Sequence, residues 1–386
     1  MPVDQGNVRN TGANLPVLRG HNAALVLDLL RTAGEAGISR LELAGHTGLT
    51  PQAVSKITAR LRAEGLMAEA GRLASTGGKP RTVLRLVPSA AHAVGLHLDR
   101  DELTAVLVDL AGTPVAVRTV PLDLGAGAKR VVEAAARAVE DVREQVGGGA
   151  DGADAADGAA DLADPQGLLG VGIAMPGPLD HAAGVTRRVT GFPEWDGFPL
   201  RDALAERLGL PVVLDKDTNA AALGLALRGA GESFAYLHLG TGLGAGLVLG
   251  GALHRGERTG AGEFGHQVLQ LDGPACGCGN RGCIEVLCLA AVARGDLAEA
   301  ARVLGVGAAN LVGLLDIDRV LLGGRTIVAD EERFVRGVGA VVAERTRGAV
   351  IPVAAAEGGA HTVAEGAAQL VLAPVFGHRR ARKLGQ

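Results

Sequence analysis

Three of the chain's four cysteines fall in one short stretch, Cys276-Gly277-Cys278 and Cys283, and His266 precedes the first of them by ten residues. A C-x-C-x4-C spacing behind a histidine offers three thiolates and one imidazole, the donor set of a closed tetrahedral zinc site. Gly277, Gly279 and Gly282 let the backbone turn tightly enough for successive sulfurs to reach one ion. The alternatives are a disulfide or a set of buried free thiols, and in a cytosolic chain the cluster favours metal. Cys288 lies outside the spacing and is assigned to the core. Glu263 and Glu285 bracket the cluster; neither is needed as a ligand once four are supplied, so both are available to another partner.

Gly262-Glu263-Phe264-Gly265-His266, followed by Cys276-x-Cys278-Gly279-x-x-Gly282-Cys283-x-Glu285, resembles the signature of the ROK family (repressors, open reading frames and sugar kinases). The resemblance implies an α/β fold with a two-lobed, actin-like (ribonuclease-H-like) body. It also implies structural zinc on His266, Cys276, Cys278 and Cys283, and a sugar pocket lined by Glu263, His266 and Glu285. Ionised carboxylates suit a polyol, because they are pure acceptors and charge-assisted hydrogen bonds are the stronger kind.

The N-terminal part reads as a separate unit, residues 1–88, ahead of a body at 89–386. The net charge of −4 hides an asymmetry: residues 1–88 carry 11 Lys and Arg against 6 Asp and Glu, the remainder 27 against 36. A basic head on an acidic body points to a polyanion partner for the head alone. Asn22 is expected to cap a helix running to about Ala33, and Ser39-Arg40-Leu41-Glu42 reads as a capping box for a second, stopping near Gly48. Thr50 caps a third, with Pro51 at its first position and Val54, Ile57 and Leu61 as its buried stripe. This is helix-turn-helix spacing. The opposite face leaves Gln52, Ser55, Lys56 and Arg60 for a major groove. Two alternating segments, Leu66 to Ala70 and Thr82 to Leu86, flank Arg72, Lys79 and Arg81 as a basic wing. The expected partner is double-stranded operator DNA bound by a homodimer or homotetramer. A three-helix unit mediating protein contacts is the alternative. With 2% aromatic residues, stacking on single-stranded nucleic acid is disfavoured.

In the body, Ala93 to Leu98, Leu103 to Val108 and Pro114 to Val120 read as a strand meander, followed by a helix from Lys129 to about Val146. Residues 147–167 form an Ala/Gly/Asp-rich tract whose apolar side chains are too few and too small to offset ordering entropy, expected to be a disordered insertion. Leu168 to Ala174 is a strand running into Met175-Pro176-Gly177-Pro178, which resembles the family's turn at the sugar cleft; Thr190 to Trp195 takes the place of a loop that approaches the sugar. Val212 to Leu214 leads into Asp215-Lys216-Asp217-Thr218-Asn219 and a helix. Strands at Phe234 to Leu239 and Gly246 to Leu249 flank Gly240-Thr241-Gly242-Leu243-Gly244. Helices near Ala290 to Ala309 precede the strand and turn Val320 to Gly324. No apolar run of about 18 residues and no signal-peptide core is present, so the expectation is a cytoplasmic protein with no membrane partner.

The resemblance leaves kinase and sensor to be separated. Asp217 matches the family's catalytic base, with Lys216 where the family has asparagine. Gly240 to Gly244 matches the second phosphate turn. The first does not match: where the family's kinases carry an aspartate, a glycine pair and a threonine, this chain has His97-Leu98-Asp99-Arg100-Asp101-Glu102. Extra carboxylates beside a triphosphate cost several kcal/mol, to an order of magnitude, without magnesium. The expectation is therefore a sugar-responsive regulator of transcription, a repressor without kinase activity, in which Asp217 is a sugar ligand. An active sugar kinase with an accessory DNA-binding head is the alternative.

Overall fold

The computed structural model describes residues 20–73, 81–147, 167–189, 191–346 and 350–378. The wing tip with Lys79, the side chain of Arg72, Thr190 and nearly all of the 147–167 insertion lie outside them.

The head opens with α1 (His21–Ala33). Its N-cap is Gly20 with no side-chain hydrogen bond, so Asn22 does not cap it: the helix has already begun at His21. A single turn leads to β1 (Ile38–Ser39) and α2 (Arg40–Thr47). The capping box is formed, with Glu42 N donating to Ser39 Oγ at 3.3 Å and Ser39 N donating to Glu42 Oε2 at 2.8 Å. Gly48, at φ 69°, ends α2 in the left-handed conformation that favours glycine. Then α3 (Pro51–Ala63) starts on Thr50, whose hydroxyl accepts from Ala53 N at 3.3 Å. The wing is β2 (Met67–Leu73) and β3 (Arg81–Leu86), antiparallel, with β1 added on the far edge of β3. Leu27, Leu30, Leu43, Val54, Leu61 and Leu84 are wholly buried.

The first lobe is the antiparallel meander β4 (His92–Leu98), β5 (Glu102–Asp109) and β6 (Pro114–Pro121), then α4 (Ala128–Gly147) and β7 (Leu168–Met175). A small hairpin follows, β8 (Leu179–Asp180) and β9 (Val185–Thr186), then α5 (Leu200–Leu208), β10 (Val212–Lys216) and α6 (Asp217–Leu227). The sheet order is β10-β7-β4-β5-β6, with β7 parallel to both neighbours at one side. Before the chain returns to the first sheet as α11 (Thr362–Leu372), the second lobe has β11 (Phe234–Leu239), β12 (Leu243–Leu249), β13 (Ala252–Leu253), α7 (Ile284–Ala293), α8 (Leu297–Leu315), β14 (Arg319–Gly323), α9 (Arg325–Ala329), α10 (Glu331–Arg345) and β15 (Val353–Ala355). Its sheet runs β13-β12-β11-β14-β15. Thus β12 begins three residues before the expected Gly246, pairing Leu243 with Leu239 directly across the glycine turn. Helix α8 is the one described helix long and apolar enough to cross a membrane, and 56% of that window is buried within the protein.

Helices α6 and α11 lie between the sheets, α11 against β4 and β7, α6 against β12. The approach is backbone to backbone. A Cβ on Gly95 or Gly172 would stand 1.9 Å from the carbonyl oxygens of Ala364 and Ala367 on α11, and one on Gly366 would meet Ala220 O at 2.1 Å. Past α11 the chain touches the head: Phe376 lies under the Arg31 guanidinium at 5.1 Å, and His378 Nε2 is 3.3 Å from Asp28. Head and body therefore share an apolar core through Leu27, Leu30, Val371 and Phe376.

Candidate binding cleft and metal centre

The loop after β13 folds the cysteine cluster back onto itself. Cys276 N donates to Asn280 O at 2.8 Å, and Leu269 N donates to Gly282 O at 2.9 Å. Gly282, at φ 63°, has no room for a side chain, because a Cβ would lie 1.8 Å from Gln270 O. The ligand atoms of His266, Cys276, Cys278 and Cys283 come within 4.8 Å of one another. His266 Nδ1 is 3.8 Å from Cys276 Sγ, and the sulfurs of Cys278 and Cys283 are 3.7 Å apart. A tetrahedron with metal–sulfur bonds of about 2.3 Å has edges of roughly 3.8 Å, so the cluster can hold a metal ion. Burial, with the two neighbouring thiols, pushes the Cys283 thiol up to about 12; three thiolates can share this space only around a cation. Cys288 stands apart, its thiol 3.6 Å from Ala300 O in the second-lobe core.

One wall of the metal loop faces an open cleft between the lobes. Asp217, Glu263, His266 and Glu285 all line it. Asp217 enters from the first turn of α6, its Oδ1 accepting from Thr218 N at 2.6 Å. Burial, reinforced by Asp99 and Glu263, pushes its carboxyl up to about 7 against the pull of the Thr218 N–H and Lys216. Glu285 Oε2 accepts from Leu243 N at 2.9 Å. Glu263 Oε1 is met at 3.1 Å by Lys216 Nζ, which also donates to Ala261 O at 2.5 Å. Each carboxylate is thus fixed by a protein donor and keeps acceptor capacity toward the cleft.

At the first-turn position, Asp99 Oδ1 accepts from Thr241 Oγ1 at 2.7 Å, and Arg325 spans Asp99 and Asp101 with bonds of 3.2, 2.5 and 3.0 Å. His97 faces inward, edge-on to His238 at 6.0 Å, and His238 Nδ1 lies 2.9 Å from the Tyr236 hydroxyl. Burial holds His238 down at about 4, so its ring is neutral at physiological pH, and burial lowers His97 too. Trp195 does not reach the cleft. It is fully buried in the first lobe, donating to Leu124 O at 3.0 Å, because the loop it ends packs as core.

On the head, Gln52, Ser55, Lys56 and Arg60 are all exposed along α3, and Arg81 is exposed at the start of β3. Arg40 and Arg62 instead hold Glu69 at 3.1 and 3.3 Å. Lys216 and Arg100 line the cleft and Arg325 pairs with Asp99 at its edge, and sequence reasoning gave none of the three a binding role. Local pattern carries no signal for them, since their partners lie up to 226 positions away.

A winged head, a two-sheet body and a His/Cys3 loop beside the interlobe cleft together define a protein of the ROK class. The ROK family model matches residues 158–291. The ROK hexokinase from Thermus thermophilus is 32% identical over 72% of this chain and 96% of its own, with a TM-score of 0.56. The chain belongs to the ROK family. Across head and body it shares its fold with a ROK family transcriptional regulator, a homolog of the E. coli MLC protein (20% identity, 93% of this chain, 98% of that one, TM-score 0.71). The putative xylose repressor of Caldicellulosiruptor sp. (strain Rt8B.4) is 26% identical over 81% of this chain and 85% of its own length. The xylose repressor of Bacillus subtilis (strain 168) is 29% identical, and the chain spans 61% of it.

Proposed function

We propose that this ROK protein is a sugar-responsive transcriptional repressor: residues 1–88 bind double-stranded operator DNA, and the 89–386 body binds a sugar effector. The observation that carries the reading is the joining, in one chain, of an exposed basic recognition helix to a cleft of four convergent polar side chains. Relatives named as xylose repressors support it. Lys56 and Arg60, with Arg72, Lys79 and Arg81 of the wing, supply phosphate contacts, and Gln52 and Ser55 face base edges. A homodimer or homotetramer presents two heads to a palindromic site.

In the body, Asp217, Glu263, His266 and Glu285 accept or share hydrogen bonds with sugar hydroxyls. His266 turns Nδ1 to the cysteines, so its Nε2 is the nitrogen left for the ligand. A bound zinc ion would fix that loop and the ring's orientation, and no more. A sugar bridging Asp217 on the first lobe and Glu285 on the second binds the closed cleft better than the open one, and that difference is all it can contribute to a switch. A hundredfold difference is worth roughly 2.7 kcal/mol.

The kinase alternative draws support from Asp217, whose carboxyl near pH 7 is suited to a base. Against it stands the first-turn position, where Asp99 and Asp101 are already neutralised by Arg325 rather than left for magnesium. Operator titration with and without sugar tests the reading. Wild type should shift its affinity, while Glu263→Ala and Asp217→Ala should bind DNA and ignore the sugar. Sugar-dependent ATP turnover lost in Asp217→Asn would promote the kinase.

A further inference from the structure

The cations around the cleft are matched, with one exception. Lys216 is held by Glu263, Arg325 by Asp99 and Asp101, and Arg255 by Asp215. Arg100 also lines the cleft, yet among the described residues no carboxylate lies within ion-pair reach of it. Its guanidinium rests over the Phe192 ring at 5.7 Å, and its Nε is shut off from water with no hydrogen-bond partner. The sealed Nε is out of an incoming group's reach, so the terminal nitrogens, which no carboxylate among the described residues pairs, are the donors this cation offers an acceptor in the cleft.

Its position says where that acceptor would sit. The terminal nitrogens of Arg100 are 3.9 and 3.8 Å from where Cβ atoms would stand on Gly191 of the first lobe and Gly242 of the second. Glu285 Oε2 lies 3.1 Å from that same point at Gly242. A ligand with a hydroxyl on Glu285 therefore brings its neighbouring substituents to a planar, unpaired cation, the geometry that suits phosphate or carboxylate oxygens. The glycines at 191 and 242 keep this corner open.

We propose that the cleft is built for a sugar bearing an anionic group, a phosphate ester or a carboxylate, and that Arg100 is the residue that takes it. The inference rests on the cleft's being a sugar site and names the chemical class of its ligand.

Calorimetry on the full-length protein tests it, with glucose, mannose and N-acetylglucosamine each compared with its 6-phosphate and its uronate. In wild type at least one charged form should bind tenfold or more tightly than its neutral parent, about 1.4 kcal/mol. The phosphate and uronate arms say which anion is used. In Arg100→Gln the charged and neutral forms should bind alike, and Arg100→Lys, which keeps a point charge without the fork, should give an intermediate ratio. Because the readout is a ratio within each protein, a general loss of stability does not mimic it. Neutral sugars that bind as well as charged ones in wild type, or a ratio unchanged in Arg100→Gln, overturn the anion site and leave the sugar site standing. Failure of every sugar to bind removes both.

Discussion

The guanidinium of Arg255, just after β13, donates to the carboxylate of Asp215 at the end of β10 over 2.6 Å. Asp215 is completely buried and also accepts from Lys216 N and Asn219 Nδ2, both at 2.8 Å. The pair ties the second lobe to the floor of the first, directly behind Asp217. Removing one partner leaves a buried charge, so Arg255→Ala should cost about 3–5 kcal/mol, read by urea unfolding. A loss below about 1 kcal/mol would show that the carboxylate is relieved by water.

Asp217 makes stability fall with pH. Its carboxyl is held at about 7 in the fold against 3.8 for the ordinary group, so between those values the folded state binds more protons than the unfolded one. The neutral form of this group is thus favourable below about pH 4, and its contribution turns steadily unfavourable as pH rises toward 7. Asp217→Asn, which keeps the acceptor for Thr218 N, should be more stable than wild type by roughly 1–3 kcal/mol at pH 8 and show little gain at pH 4.5. Paired melts at the two pH values check the sign, and equal gains would refute it.

The metal loop and the cleft should fail together. Cys278→Ala should release zinc, measured by elemental analysis, and abolish sugar binding, because His266 lies between the cysteines and the cleft. Metal binding in such loops contributes on the order of several kcal/mol to local folding. A variant that lost zinc but bound sugar normally would separate the two roles of His266.

Operator binding should be steeply salt-dependent. Lys56→Ala and Arg60→Ala should each weaken it and lower the slope of log affinity against log salt by about one unit, with stability changed by no more than about 0.5 kcal/mol. Unchanged affinity in the double variant with Arg81→Ala would take DNA recognition away from α3 and the wing.

What the sequence disclosed was what local chemistry fixes. Ser39 with Glu42, Thr50 with Pro51, and the cysteine spacing each specify a structure within a few residues, and all three form. The meander β4 to β6 was legible because its strands follow one another in the chain. Arg100 and Arg325 were not, since their meaning depends on which distant group faces them. Helix α11 was missed for a different reason. All of its residues from Thr362 to Leu372 are buried, its short polar stripe of Thr362, Glu365 and Gln369 included, so no solvent-facing side marks it as a helix packed on one face only.

That concealed helix has a mechanical consequence. Where side chains interdigitate, a helix can slide a little by changing rotamers, but at Gly95, Gly172 and Gly366 there are no side chains to change. Helix α11 is seated on the first sheet and on α6 as metal sits on metal, with no gasket. Any tilt of α6 that begins at Asp217 must carry α11 with it. Just past the far end of that rod, Phe376 and His378 rest against Arg31 and Asp28 of the first head helix, so slack between cleft and head has few places to hide.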